Sequence, residues 1–426
     1  ACKEVDEQTQ LLLRLQQQDL NPAYVFTKPK GKGWDAVISF LHNHVGQFDR
    51  EDLTIIVPLL KEWVSESPTG HTTKTAGLFA LHFYKQAELD DKISYGSDTE
   101  EKLLAVVLGA ARELKEELSV IVEALLAGKY NRRESFSSLR EEVLTDNDKS
   151  IQFIISLPEL TLRLADQAWY QKKEDRHPYG GSMGVEKHYA IRDHIHMDYH
   201  PASALQTPVY YLLLFSFPET IQFILDFTNR AVTVYSKSEL DDSVESIKVQ
   251  VNGTRVDQYI SNSLWCMHRG SGSPVTPYLL QSIHMALEKK LMEMAKNSDG
   301  ENVSKWLKHL LLHSRSASIS AVVTSVVLAY PDKLFDVALE LFRNFPFFQQ
   351  DNVRLSRESE AKSIVSIWAG MDARYRRHEK ERLATFEEPH RNRTLESLAR
   401  ESQFFRTEEV TEKVFQDRRA AIHRII

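Results

Sequence analysis

The densest gathering of metal-ligating side chains in the sequence is His194-Ile195-His196-Met197-Asp198-Tyr199-His200. Two histidines at i and i+2, an aspartate and a third histidine could hold one or two zinc ions. Zinc lowers the pKa of a bound water far enough to make hydroxide at neutral pH, so the chemistry would be metal-dependent hydrolysis. His177 and His188 could complete a different site. The plainer expectation for the same residues is a polar surface loop. The run lies between Gln171 and Ser203, a stretch with Gly180, Gly181, Gly184, Pro178 and Pro201 and neither a helical nor a strand period. A stretch of that length without a period is either functional or mobile, and it is also the expected domain boundary.

The run resembles the HxHxDH ligand motif of metallo-β-lactamase-type hydrolases, with two departures: Tyr199 is inserted before His200, and no strand-rich context surrounds it. Other reactive arrangements are weaker. Cys266 has His268 two residues on, but a thiolate–imidazolium pair needs a third group to orient it. Cys2 and Cys266, far apart, read as two reduced thiols rather than a disulfide framework. A phosphate-binding GxxxxGK[ST] loop is missing. Gly70 to Gly77 encloses Thr72-Thr73-Lys74-Thr75 without the Gly-Lys pair, and Gly31-Lys32-Gly33 reads as a turn. There is no GxSxG elbow, and Ser314-Arg315-Ser316-Ala317-Ser318 reads as the cap of a following apolar helix. Trp265, Arg269 and Gly270 allow two readings. Trp265 anchors a hairpin on helices with Gly270 making the turn, or Arg269 and the aromatic ring form a surface for a partner. The expectation is a binding or scaffolding protein rather than an enzyme.

The elements that would position these residues are mostly helices. Trp34, Val37, Ile38, Phe40 and Leu41 form an amphipathic stripe, and Asp49, Glu51 and Asp52 open another helix. Thr72-Thr73 starts a third, and one long helix is predicted from Thr99 to Lys129. Ala231-Val232-Thr233-Val234-Tyr235 is strand-like by composition. Ile247 to Val251 and Thr254 to Tyr259 alternate around Asn252-Gly253, the signal of a hairpin with a type I′ turn. Ile319 to Tyr330 is almost wholly apolar and fits a buried strand as well as a buried helix; the helical run after Pro331-Asp332 favours two packed helices. The fold class read from this is mainly α: an irregular α-solenoid of antiparallel helices with one inserted β-hairpin. The expected organisation is a helical array over 1–170, a His/Gly-rich boundary over 171–203, a helical unit with a hairpin near 247–259 over 204–350, and a charged helical tail over 351–426.

With 53 basic and 60 acidic residues the net charge is -7, which argues against a surface that displaces counterions from nucleic-acid phosphates. No run of 18 apolar residues offers a membrane span, and no signal peptide opens the chain, so a cytoplasmic setting is expected. The first residue is Ala1 rather than Met, which reads as an internal or C-terminal piece of a longer protein.

One ordered series of motifs extends from Thr207 to Asp351. It runs through Tyr210-Tyr211-Leu212-Leu213, Phe223 to Asn229, the hairpin, and Leu264-Trp265 with Arg269-Gly270. Leu279-Leu280-Gln281-Ser282, Met285-Ala286-Leu287-Glu288 and Ser314 to Pro331 complete it. The series resembles the region that follows the nucleotide-binding core in large bacterial STAND-type ATPases of the Avs antiviral group. Leu59-Leu60-Lys61-Glu62-Trp63 with Gly70 and Thr72 to Ala76 fits the same pattern. The resemblance implies a helical sensor or arm that binds a phage structural protein such as terminase or portal. It would relay to an upstream ATPase of the same protein, with oligomerisation on activation. ATP and Mg2+ would belong to that parent, because this chain has no Walker A motif and no effector motif. No cofactor is expected in this chain.

Overall fold

The computed structural model describes residues 32–90, 92–128, 130–145, 147–171, 184–192, 195, 198–269, 276–363, 373–406 and 410–425. The chain divides into two compact units, Ala1–Leu164 and Ala165–Ile426. The class is mainly α with one two-stranded antiparallel hairpin. Among the described residues no helix is long and apolar enough to cross a membrane.

The first unit holds α1 (Lys32–Asn43), α2 (Arg50–Glu66), α3 (His71–Leu89), α4 (Ser97–Gly109), α5 (Lys115–Ala127), α6 (Ser137–Thr145) and α7 (Asn147–Ser156). The division falls inside α8 (Pro158–Trp169). Helices pack on near neighbours in sequence: α1 on α3, α2 on α4, α3 on α4, and α4 on α7. Asp49 caps α2, accepting from the Glu51 and Asp52 N–H groups at 2.8 and 3.1 Å while Asp52 returns a bond to the Asp49 N–H. That arrangement satisfies donors a helix start otherwise leaves open. Leu53, Val57, Leu60 and Val64 then fall on one buried face. The stripe read in α1 is narrower than expected, because Ile38 is buried while Val37 and Phe40 are exposed.

The long helix expected over Thr99–Lys129 is two helices, broken between Gly109 and Lys115. The break is invisible to periodicity because the turn is itself core: Ala110, Ala111 and Leu114 are fully buried. It packs against Gly77 of α3, where an added Cβ would lie 2.7 Å from the Ala110 Cβ and 2.8 Å from a Leu114 methyl.

The second unit contains α9 (Val209–Phe215), α10 (Phe217–Tyr235), the strands β1 (Glu245–Val251) and β2 (Thr254–Ile260), α11 (Asn262–Trp265) and α12 (Tyr278–Lys296). It continues with α13 (Glu301–His313), α14 (Ala317–Ala329), α15 (Phe335–Phe342), α16 (Phe345–Ser363), α17 (Ala373–Ala384), α18 (Leu395–Phe404) and α19 (Glu412–His423). The hairpin forms as predicted, with Val251 paired to Thr254 and positive φ at Asn252 (49°) and Gly253 (78°). The strand-like residues 231–235 are instead the last turns of α10. Ile221, Ile224, Leu225, Thr228, Ala231, Val232 and Tyr235 lie on its buried face, so burial at helical spacing overrides the local β preference.

Helix α14 organises this unit. Every residue from Ala317 to Leu328 is buried, and α11, α12, α13, α15, α18 and β2 all pack on it. Ser316 caps it, accepting from the Ser318 N–H at 3.1 Å, as the serine run predicts.

Replacing Gly77 with Ala tests the contact between α3 and the α4–α5 turn. Helix propensity alone favours Ala by about 1 kcal/mol. The clash with Ala110 and Leu114 outweighs it, and a net loss of about 1–2 kcal/mol is expected from overpacking. Urea unfolding followed by circular dichroism measures the sign.

Candidate functional site

Helical spacing along α12 places Gln281, Ser282, His284, Met285 and Glu288 in the interior, beside the hydroxyls of α14. The Ser318 hydroxyl lies 2.9 Å from His284 Nε2, the Ser320 hydroxyl donates to Gln258 of β2 at 2.7 Å, and the Ser325 hydroxyl lies 3.2 Å from His390 Nε2. Ser318, Ser320 and Ser325 therefore tie the central helix to three different neighbours, while Thr324 bonds back to the Ser320 carbonyl of the same helix.

Around Ser325 the contacts become ionic. Arg391 holds Glu288 through two parallel bonds of 2.8 Å, and both side chains are 4% exposed. Its Nη1 also donates to Ser325 at 3.0 Å. Arg269 binds Glu358 at 2.6 and 2.8 Å, donates to Thr385 at 3.1 Å, and stacks its guanidinium 4.3 Å over the Phe386 ring. Arg354 binds Asp351 at 2.8 Å and donates to the Arg391 and Arg393 carbonyls. Asp351 in turn accepts from the Leu395 N–H at 2.8 Å. Arg382 donates to the Ala202 and Arg269 carbonyls at 3.0 and 2.8 Å. The segment 378–395 is thus joined to α12, α14 and α16 largely by charged and polar groups.

Burial and charge oppose one another throughout this network. Burial pushes the Glu288 carboxyl upward, but Arg391, by charge and by its hydrogen bonds, together with Arg269 outweighs it and holds the carboxyl well below its usual range. Burial draws Arg269 and Arg382 down to about 10, with like charges nearby adding to the effect. His268 is held neutral by burial; its ring nitrogens have no hydrogen-bond partner among the described residues, and Nε2 lies 3.7 Å from Glu288. Burial also lowers His284 to about 4 and His390 to about 3. Cys266 is buried, which pushes its thiol up to about 12. Cys266 and His268 are both buried, and neither His268 ring nitrogen bonds to the Cys266 sulfur.

The residues singled out from the sequence fall in several places. Trp265 is fully buried with its ring 5.1 Å from Phe347, and Arg269 is inside the ionic network. Neither side chain is presented to a partner, so the surface reading of this pair is corrected to a structural one; Gly270 lies outside the described residues. In the histidine run, His194 and His196 lie outside the described residues, as does His177. Asp198 uses its backbone carbonyl to accept from Gln206 at 3.3 Å. The His200 ring packs 4.7 Å from Tyr278 and 5.8 Å from Tyr375. Tyr199 is 1% exposed and accepts from the Trp169 indole at 2.7 Å. Residues 198–200 thus lie within the second unit, Tyr199 in its interior and Asp198 and His200 half-buried. Among the described residues no three His, Cys, Asp or Glu side chains gather where a metal ion could sit.

A cavity of about 300 Å3 adjoins the network between α12, the end of α14 and residues 381–391. Met285, Met292 and Tyr330 line it together with Glu293, Glu381 and Glu388. Nothing in the sequence marked this place, because its walls come from segments far apart in the chain.

A scan of protein-family models finds none that matches the chain, and a search of curated proteins finds no match either.

Two stability outcomes are expected from the network. Arg391→Met leaves Glu288 buried and unpaired, at a cost of about 3–5 kcal/mol in urea unfolding, whereas the double variant with Glu288→Met recovers most of it. Acidification is the second. The folded values of His268, His284 and His390 all lie below the ordinary 6.5. The unfolded chain therefore binds protons that the native rings refuse. Stability is fully present above about pH 6.5 and falls below it by about 1.4 kcal/mol per pH unit per ring. Glu381, raised above its ordinary 4.5, acts in the opposite sense as one group against three. The urea midpoint is expected to drop between pH 7 and pH 5; a constant midpoint would mean that the native rings already carry protons.

Proposed function

We propose that this chain is a non-catalytic helical sensor or scaffold, the arm that follows the nucleotide-binding core in a STAND-type ATPase of antiviral defence. It would work in the cytoplasm. One observation supports this reading above others. The side chains that carry the resemblance are engaged in holding the second unit together: Trp265 against Phe347, Arg269 on Glu358, Glu288 on Arg391, and the serines of α14 on their neighbours. Residues committed in this way serve a rigid body that presents a surface, rather than a reaction centre.

A rigid helical body suits the recognition of a folded protein, because little conformational entropy is lost on docking. Binding can then bias an attached ATPase only through a difference in affinity between its resting and active arrangements. ATP and Mg2+ belong to that parent in this reading, and the partner is a phage structural protein, terminase or portal.

Mixing the purified chain with terminase large subunit and with portal, followed by size exclusion with light scattering, tests the reading. A co-migrating complex with one of them is the expected result. No complex with either, from a chain shown to be folded, removes these two partners and turns the search to host proteins.

A further inference from the structure

The cavity between α12, the end of α14 and residues 381–391 has walls of two kinds. Ala204, Met285, Met292 and Tyr330 make an apolar side, and carboxyl groups stand around it. The fixed cations nearby are mostly engaged: Arg391 grips Glu288, and Lys289 lies 3.5 Å from Glu293. His390 is held neutral by burial. Glu381 differs from the other carboxylates. It has no ion pair among the described residues, and its carboxyl accepts from the Ala204 N–H at 3.0 Å and from the Ser203 hydroxyl. Burial raises its pKa, and Lys289 only partly offsets this from a distance. Glu388 stands exposed at the rim without an ion pair among the described residues. With the internal pairs set aside, two carboxylates remain against the single amine of Lys296.

A half-buried carboxyl held by neutral donors ionises more readily when a positive group reaches it. An anionic ligand would make its ionisation still less favourable. The apolar wall beside it suits methylene groups, which gain from leaving water. The volume is at the small end for ligand sites and suits a short chain rather than a ring system.

We propose that this cavity binds a short aliphatic diamine, with one ammonium on Glu381, its methylenes along Met285, Met292 and Tyr330, and the second ammonium at Glu388 on the rim. Such a ligand would join α12 and α14 to the C-terminal segment, because Glu381 and Glu388 lie on that segment while Met285 and Met292 lie on α12.

Calorimetric titration of the full chain with 1,4-diaminobutane tests this, with n-butylamine, MgCl2 and NaCl at matched ionic strength as comparisons. Saturable one-to-one binding of the diamine is expected, weaker binding of n-butylamine, and none of the salts. Glu381→Gln should weaken the diamine on the order of tenfold, the loss of one charge-assisted hydrogen bond in a desolvated site. Should that variant not fold, Met292→Trp fills the cavity from its partly exposed wall and should abolish binding while circular dichroism stays native. Two results would overturn the proposal: no saturation by the diamine at millimolar concentration, or unchanged affinity in a folded Glu381→Gln or Met292→Trp chain.

Discussion

Helix α14 is buried on every side, and that single constraint shapes the second unit. A helix in this position cannot send its hydroxyls to water, so each must meet a partner in the protein or cost the free energy of an unmade hydrogen bond. Ser318 meets His284, Ser320 meets Gln258, and Ser325 meets His390 and Arg391. These four bonds point to α12, to the hairpin and, twice, to the C-terminal segment. The direction in which each neighbour packs is thereby specified by chemistry as well as by shape.

The ionic network extends the same logic outward. Arg269, Arg354, Arg382 and Arg391 are all nearly or fully buried, which is tolerable only because each finds a carboxylate, a carbonyl or both. Such pairs add little net stability over an apolar core of equal volume, since the desolvation of two charges offsets most of their attraction. What they do add is intolerance of misplacement. A segment held by Arg391 on Glu288 and by Arg354 on the Arg391 and Arg393 carbonyls has one register, because a shift leaves charges unpaired in the interior.

The first unit relies on a different device. Its helices are joined by apolar faces meeting at close range, as at Gly77, where the α4–α5 turn takes the space a side chain would occupy, and at Gly109, which lies against Val64. Polar contacts accompany this packing: Tyr84 meets Ser138 at 2.7 Å, and the buried Arg140 pairs with Glu134 and donates to the Asn131 carbonyl.

The sequence by itself determined the helical class, the hairpin and the capping serine, because each is set by local rules: spacing of apolar residues, positive φ at Asn252-Gly253, and a hydroxyl before an apolar run. It also marked Trp265 as an anchor. Local rules misjudged residues 231–235, where valine and threonine favour a strand but the face they share with Ile221, Ile224 and Thr228 makes a helix. They missed the break after Gly109 because a buried turn is as apolar as the helices it joins. The packing of whole helices was needed to show that Glu288 meets Arg391 across 103 residues, that Arg269 lies inside rather than on a surface, and that Glu381 lines a cavity. Pairing at that separation leaves no periodic trace in the chain, since it depends on where whole helices come to rest and on which charges desolvation forces together.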